Sequence, residues 1–151
     1  MSPVADPAAP DAAPEHGQGP LSSSELQQLE ATLLPALERH HLRLLAHALR
    51  TLQAVQQGTG ELQIPQQATI EQWLLAQPAL NDATDFGRQL AAQLSSAGRQ
   101  LEAVGLQRGV APLELELDAL IDWARQQADQ RLATAPPAPP PQPPVEPPAD
   151  R

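Results

Sequence analysis

The sequence predicts an all-α fold: a small bundle of four to five helices with a long, kinked first helix, flanked by disordered proline-rich tails. Three observations predict it. Residues 21–133 are dominated by Leu, Ala, Gln, Glu and Arg, which favour helix, while β-branched and aromatic residues are scarce. Apolar residues in this segment recur at spacings of three, four and seven, the signature of one buried helix face. Of the 18 prolines, 14 fall in residues 1–20 and 134–151, which leaves only four in the centre. The chain therefore divides into a disordered Pro/Ala-rich segment 1–20, a helical domain 21–133 of ordinary single-domain size, and a polyproline-type segment 134–151.

The first helix opens at Ser22-Ser23-Ser24-Glu25, where Ser22 and Glu25 match the capping box. Its stripe runs Leu26, Leu29, Leu33, Leu37, Leu44 or Leu45, Ala48, Leu52 and Val55, and Gly58 ends it. Pro35 lies inside. Either the helix kinks there, or a short helix stops and a second starts with Pro35 in its first turn. The stripe passes through the proline without a polar break, which favours the kink.

Residues 58–64 read as a loop. A short helix at about 66–77 presents Ile70, Trp73 and Leu74, and Pro78 closes it. The next helix begins at Asn81 or Asp82, with Asp85 in its first turn and a stripe of Phe86, Leu90, Leu94, Ala97, Leu101 and Val104. Gly105 reads as its terminus and Leu106 as the residue that packs back onto Leu101. Gly87, Ser95, Ser96 and Gly98 weaken this helix but permit a neighbour to approach closely. The last helix spans 112–133, starting at Pro112 or Asp118, with Leu117, Leu120, Ile121, Ala124, Ala128 and Leu132 on one face. Two stretches, Glu61–Ile64 and Leu113–Leu117, alternate with period two and could pair as a short ladder, though two such strands alone are marginal.

Nine basic residues, all Arg, stand against 18 acidic ones, for a net charge of −9. That balance argues against wholesale coating of nucleic acid. The absence of Cys excludes disulfides and thiolate metal sites and fits a cytoplasmic protein. No apolar run approaches the ~20 residues of a membrane helix, and no signal peptide is expected.

Charge is segregated. Residues 36–57 carry Glu38 against Arg39, Arg43 and Arg50, with His40, His41 and His47 in addition. Residues 113–133 carry Glu114, Glu116, Asp118, Asp122 and Asp129 against Arg125 and Arg131. His40, Arg43, His47 and Arg50 fall three, four and three apart, hence on one helix face, with Arg39 beside them. Guanidinium forks on such a face suit carboxylate or phosphate groups, and its histidines would strengthen anion binding below about pH 6.5. The plainer reading is a solvated face, or pairing with the acidic last helix.

Other chemistry is weakly signalled. Glu38-x-x-His41 is one copy of a motif that helical di-iron sites use twice, with two further Glu, so no metal is expected. Gly58-Thr59-Gly60 lacks the remaining elements of a phosphate loop, and no cofactor is expected. The serines sit where capping or packing explains them. P-x-x-P registers within Pro136–Pro148 fit aromatic-grooved domains but equally a plain tether. Trp73 and Trp123 sit among apolar neighbours and read as core anchors, with an interface role as the alternative.

The sequence thus points to a non-enzymatic protein–protein interaction module, an adaptor, assembly factor or regulator, docking an acidic partner through Arg39, His40, Arg43, His47 and Arg50. The alternatives are a nucleic-acid-associated regulator using the same helix, or a helical metalloprotein or enzyme. An antiparallel homodimer pairing basic with acidic helices is compatible with the charge pattern.

Overall fold

A computed structural model describes residues 20–144 of the chain. Five α-helices and one 3-10 turn follow in order: α1 (Ser23–Glu30), α2 (Ala36–Gln56), α3 (Gln67–Leu75), α4 (Thr84–Arg108), the turn Pro112–Glu114, and α5 (Leu117–Thr134). No strand occurs among the described residues. Helix α2 is central and packs against each of the other four helices and the turn. Helices α3 and α4 form the most extensive single pairing.

The core is built of leucine. Leu29, Leu42, Leu45, Leu49, Leu52, Ile70, Leu101, Val104 and Leu120 are its large, fully enclosed side chains, and no ring is among them. Trp73 and Trp123 pack against this cluster from its edge, half-buried.

Helix α1 starts as expected. The Glu25 amide donates to Ser22 Oγ, and the Ser22 amide donates to the Glu25 carboxylate at 2.9 Å, completing the capping box. The long kinked first helix does not form. Helix α1 stops at Glu30, Leu33 takes a left-handed conformation (φ 56°), and α2 begins after Pro35 as its cap. A helical Pro35 would clash with the Ala31 carbonyl and leave it without its amide donor, and a residue preceding proline avoids helical geometry. The break resets the helical phase, so the apolar stripe does not run through. Leu34 is buried, whereas Leu33 is 91% exposed and Leu37 also faces outward.

Helix α4 starts at Thr84, two to three residues later than expected, and outlasts its expected end. Gly105 lies inside it, and Gly109 (φ 69°) supplies the left-handed terminus one turn on. The Val110 amide donates to the Gly105 carbonyl at 3.0 Å and the Gly109 amide to Leu106, a Schellman arrangement. The expected packing of Leu106 onto Leu101 is therefore absent. Phe86 and Leu132, also assigned to buried stripes, are exposed.

The small residues of α4 do admit neighbours. A Cβ on Gly98 would lie 2.6 Å from Ile64, and one on Gly105 would lie 2.8 Å from the Val110 carbonyl oxygen. The alternating stretches 61–64 and 113–117 do meet, but through one backbone bond, Leu113 amide to Leu62 carbonyl at 3.0 Å. Leu113, Leu115 and Leu117 all point into the core. The period-two pattern thus marks the turn and the entry to α5 rather than a strand.

Residues 135–144 are exposed and without helix or strand. The disorder expected for 1–20 falls, up to residue 19, outside the described residues, as does that expected for 145–151.

Candidate functional site

The face predicted to dock a partner lies along α2, and the fold gives its arginines partners inside the chain. Arg39 Nε stands 3.6 Å from the Glu30 carboxylate, and the Arg43 guanidinium contacts the same group. Arg50 Nε donates to Glu25 at 2.8 Å, and its Nη1 donates to Gln53 at 2.9 Å. Gln53 in turn donates to the Leu113 carbonyl at 2.9 Å, so one polar chain links α1, α2 and the 3-10 turn. The basic stripe of α2 is thus paired with the acidic residues of α1. The broken connection brings α1 back onto α2, which a continuous helix could not do.

The acidic last helix is not the counterpart of the basic one. Where α2 and α5 touch, the polarity is reversed: Arg131 of α5 donates to Glu38 of α2 at 2.7 Å. The acids of α5 turn elsewhere. Asp118 accepts from Gln28 of α1, and Asp122 lies 3.8 Å from Arg108 and 3.9 Å from Arg125.

The histidines divide. His40 is exposed. His41 lies against Trp123, ring centroids 6.0 Å apart and tilted by 38°. With Glu38 held by Arg131, the Glu-x-x-His pair is engaged in packing α2 onto α5. Among the described residues, no group of three or more His, Asp or Glu gathers as a metal site would require. His47 is half-buried. Burial first, and the neighbouring Arg43 charge second, hold its pKa below the ordinary histidine value.

Beside this face runs a groove of about 470 Å³ between α2 and α4. Leu44, His47, Ala48 and Thr51 form one wall, and Gln93 and Ala97 contribute to the other. No carboxylate lines it, although the chain as a whole is strongly acidic. The exposed Leu44 marks its rim. Sequence periodicity placed Leu44 at the core boundary but could not show the groove, because its second wall comes from residues about fifty positions away.

Of the five predicted residues, the structure brings Arg39 and Arg43 together on Glu30 and sets His47 beside Arg43. Arg50 joins Glu25 further along the helix, and His40 stands apart. Sequence reasoning placed Glu25 in the capping box but missed the pairing of Glu25 and Glu30 with the arginines of α2. The excess of acid in residues 25–30 was its available signal. No described helix is long and apolar enough to cross a membrane.

A helical scaffold whose ion pairs fasten its own helices, with an apolar groove beside half-exposed guanidinium groups, has the character of a protein that works by contact with other proteins. The chain belongs to the family described as NDH complex assembly factor CRR9, whose model matches residues 21–131, from just before α1 to near the end of α5. No curated protein and no solved structure matches it in the same comparisons.

Proposed function

We propose that this chain is a non-enzymatic assembly factor for the NDH complex, and that it docks an acidic surface of its partner through Arg39, His40, Arg43, His47 and Arg50. Membership of the assembly-factor family supports the first part. One observation carries the second: the α2–α4 groove holds no carboxylate and adjoins a helix edge carrying three arginines and two histidines.

The arginines are not bare charges on this reading. Their side chains are 34–40% exposed while paired with Glu25 and Glu30. An incoming carboxylate shares guanidinium groups already held in place, which lowers the ordering entropy of docking. Leu44 and the groove supply the apolar part of the contact, and the charged edge supplies orientation and rate.

The test is capture of purified NDH complex and its partial assemblies by the immobilised full chain. Replacing the arginines would loosen α1, so the decisive variants are His40→Glu and Leu44→Glu, both at exposed positions. Each is expected to keep its helical circular dichroism and to lose at least about tenfold in affinity, the scale of a like charge or a lost apolar contact. Undiminished capture by both variants would rule out this face. Failure of the wild type to capture any assembly would rule out the assembly role itself.

A further inference from the structure

We infer that the corner where α4 ends is a second docking surface, and that it takes an amphipathic helix of a partner protein bearing arginine or lysine beside its apolar face. The corner pocket shares no lining residue with the α2–α4 groove and rests on separate observations.

The first is shape. Gly105 has no Cβ to collide with the Val110 carbonyl, so residues 109–112 fold back over the last turn of α4. The fold-back borders an open pocket of about 490 Å³ whose walls include Gln63, Glu102, Leu106, Val110 and Pro112. The cavity is a product of backbone packing and is present without a partner.

The second is exposed apolar surface. A Schellman terminus ordinarily sets the residue after the left-handed position against the side chain three residues before the cap. Here those residues are Val110 and Gly105, and glycine offers nothing to cover. Val110 consequently stays 40% exposed beside Leu106, which is 84% exposed, and Leu62 on the adjoining loop is 43% exposed. Leu106 and Val110 thus line the pocket with exposed apolar side chains, and Leu62 precedes its lining residue Gln63, in a chain that buries most of its leucines.

The third is charge, and it selects the occupant. Glu102 lines the cavity, and among the described residues no cation lies within ion-pair distance of it. Arg99, three residues before Glu102 on α4, makes no ion pair with it, and Arg108 in the last turn is drawn away to Asp122 and the Ala119 carbonyl of α5. The carboxyl end of the α4 dipole points at the same place, and Glu61 adds a second exposed carboxylate next to Leu62. An apolar pocket with an unpaired carboxylate and the negative end of a 25-residue helix is complementary to a cationic amphipathic segment.

The test uses the full chain, labelled with ¹⁵N, and two synthetic amphipathic peptides about five turns long. Both carry the same Leu/Ala face, one flanked by arginines and the other by glutamates. The arginine peptide is expected to shift amides within 61–63 and 102–112 and to bind at least about tenfold more tightly than its twin. Leu106→Ser and Glu102→Gln, both at exposed positions, should each weaken it several-fold, while Leu44→Ser should not. Shifts spread over the whole acidic surface, or equal affinity for both peptides, would overturn the proposal. So would a concentration-dependent dimer broken by Leu106→Ser, because the corner would then belong to a second copy.

Discussion

The Glu25 carboxylate accepts both from the Ser22 amide that opens α1, at 2.9 Å, and from Arg50 Nε of α2, at 2.8 Å. One side chain therefore caps the start of one helix and ties it to the next. The Ser22 amide above all, and the Arg50 guanidinium after it, hold its pKa below the usual 4.5, against the opposing effect of burial.

Glu25→Gln is expected to lower unfolding free energy by about 1–2 kcal/mol at neutral pH, from the weakened cap and lost ion pair together. Because the folded-state pKa is depressed, this contribution is complete above 4.5 and disappears as pH falls through the lowered value. Urea titrations of both proteins at pH 7 and pH 3 check this. The gap between their midpoints should close in acid, and a constant gap would show that the carboxylate charge is not its source.

His47 gives a second pH dependence of the same sign. Its folded-state pKa lies below the ordinary 6.5, so the unfolded chain takes up the proton first and stability drops as pH falls below 6.5. Thermal unfolding should show the wild type losing ground to His47→Gln between pH 7.5 and pH 5.5. Identical slopes would mean that His47 titrates alike in both states.

Leu33 occupies a conformation that costs a non-glycine residue roughly 1–2 kcal/mol. Its side chain is exposed, so removing it forfeits little packing. Leu33→Gly should therefore be neutral to stabilising by up to about 1 kcal/mol once the added freedom of the unfolded chain is subtracted. A rise in the urea midpoint is the expected reading. A fall of more than about 1 kcal/mol would place Leu33 in a contact that the fold does not contain.

Two glycines of α4 should respond oppositely to alanine. At Gly87 the added methyl meets the end of the flexible Leu75 side chain, at 2.9 Å, and the gain in helix propensity of up to about 1 kcal/mol prevails or balances. At Gly105 it meets backbone, and overpacking of about 1–3 kcal/mol outweighs the same gain. Paired denaturation curves decide it. Gly105→Ala should also abolish the peptide-induced shifts at 102–112, since the fold-back builds that cavity.

The parts legible in the sequence were those decided locally. Ser22 and Glu25 announced the start of α1, and Leu45, Ala48, Leu52 and Val55 of the expected stripe are buried on α2. The leucine core followed from composition. Errors arose where a local rule had two outcomes. Pro35 could kink or break a helix, and Gly105 and Gly109 could each end α4. Packing chose between them: Gly105 was needed inside the helix to admit residues 109–112, which left Gly109 to terminate it. For the docking face, spacing put His40, Arg43, His47 and Arg50 on one side of a helix, but could not see α1 return to pair with it.

The sequence by itself determined that this chain is helical, that its core is leucine, and that one helix carries a basic run of three arginines with three histidines. These follow from propensity, periodicity and counting, which operate over a few turns. Only the tertiary structure decided which carboxylates meet which guanidinium groups, where grooves open, and which apolar residues remain outside. Those outcomes depend on contacts between residues far apart in the chain. The break before Pro35 and the fold-back over Gly105 set them by resetting the direction of the helices on either side.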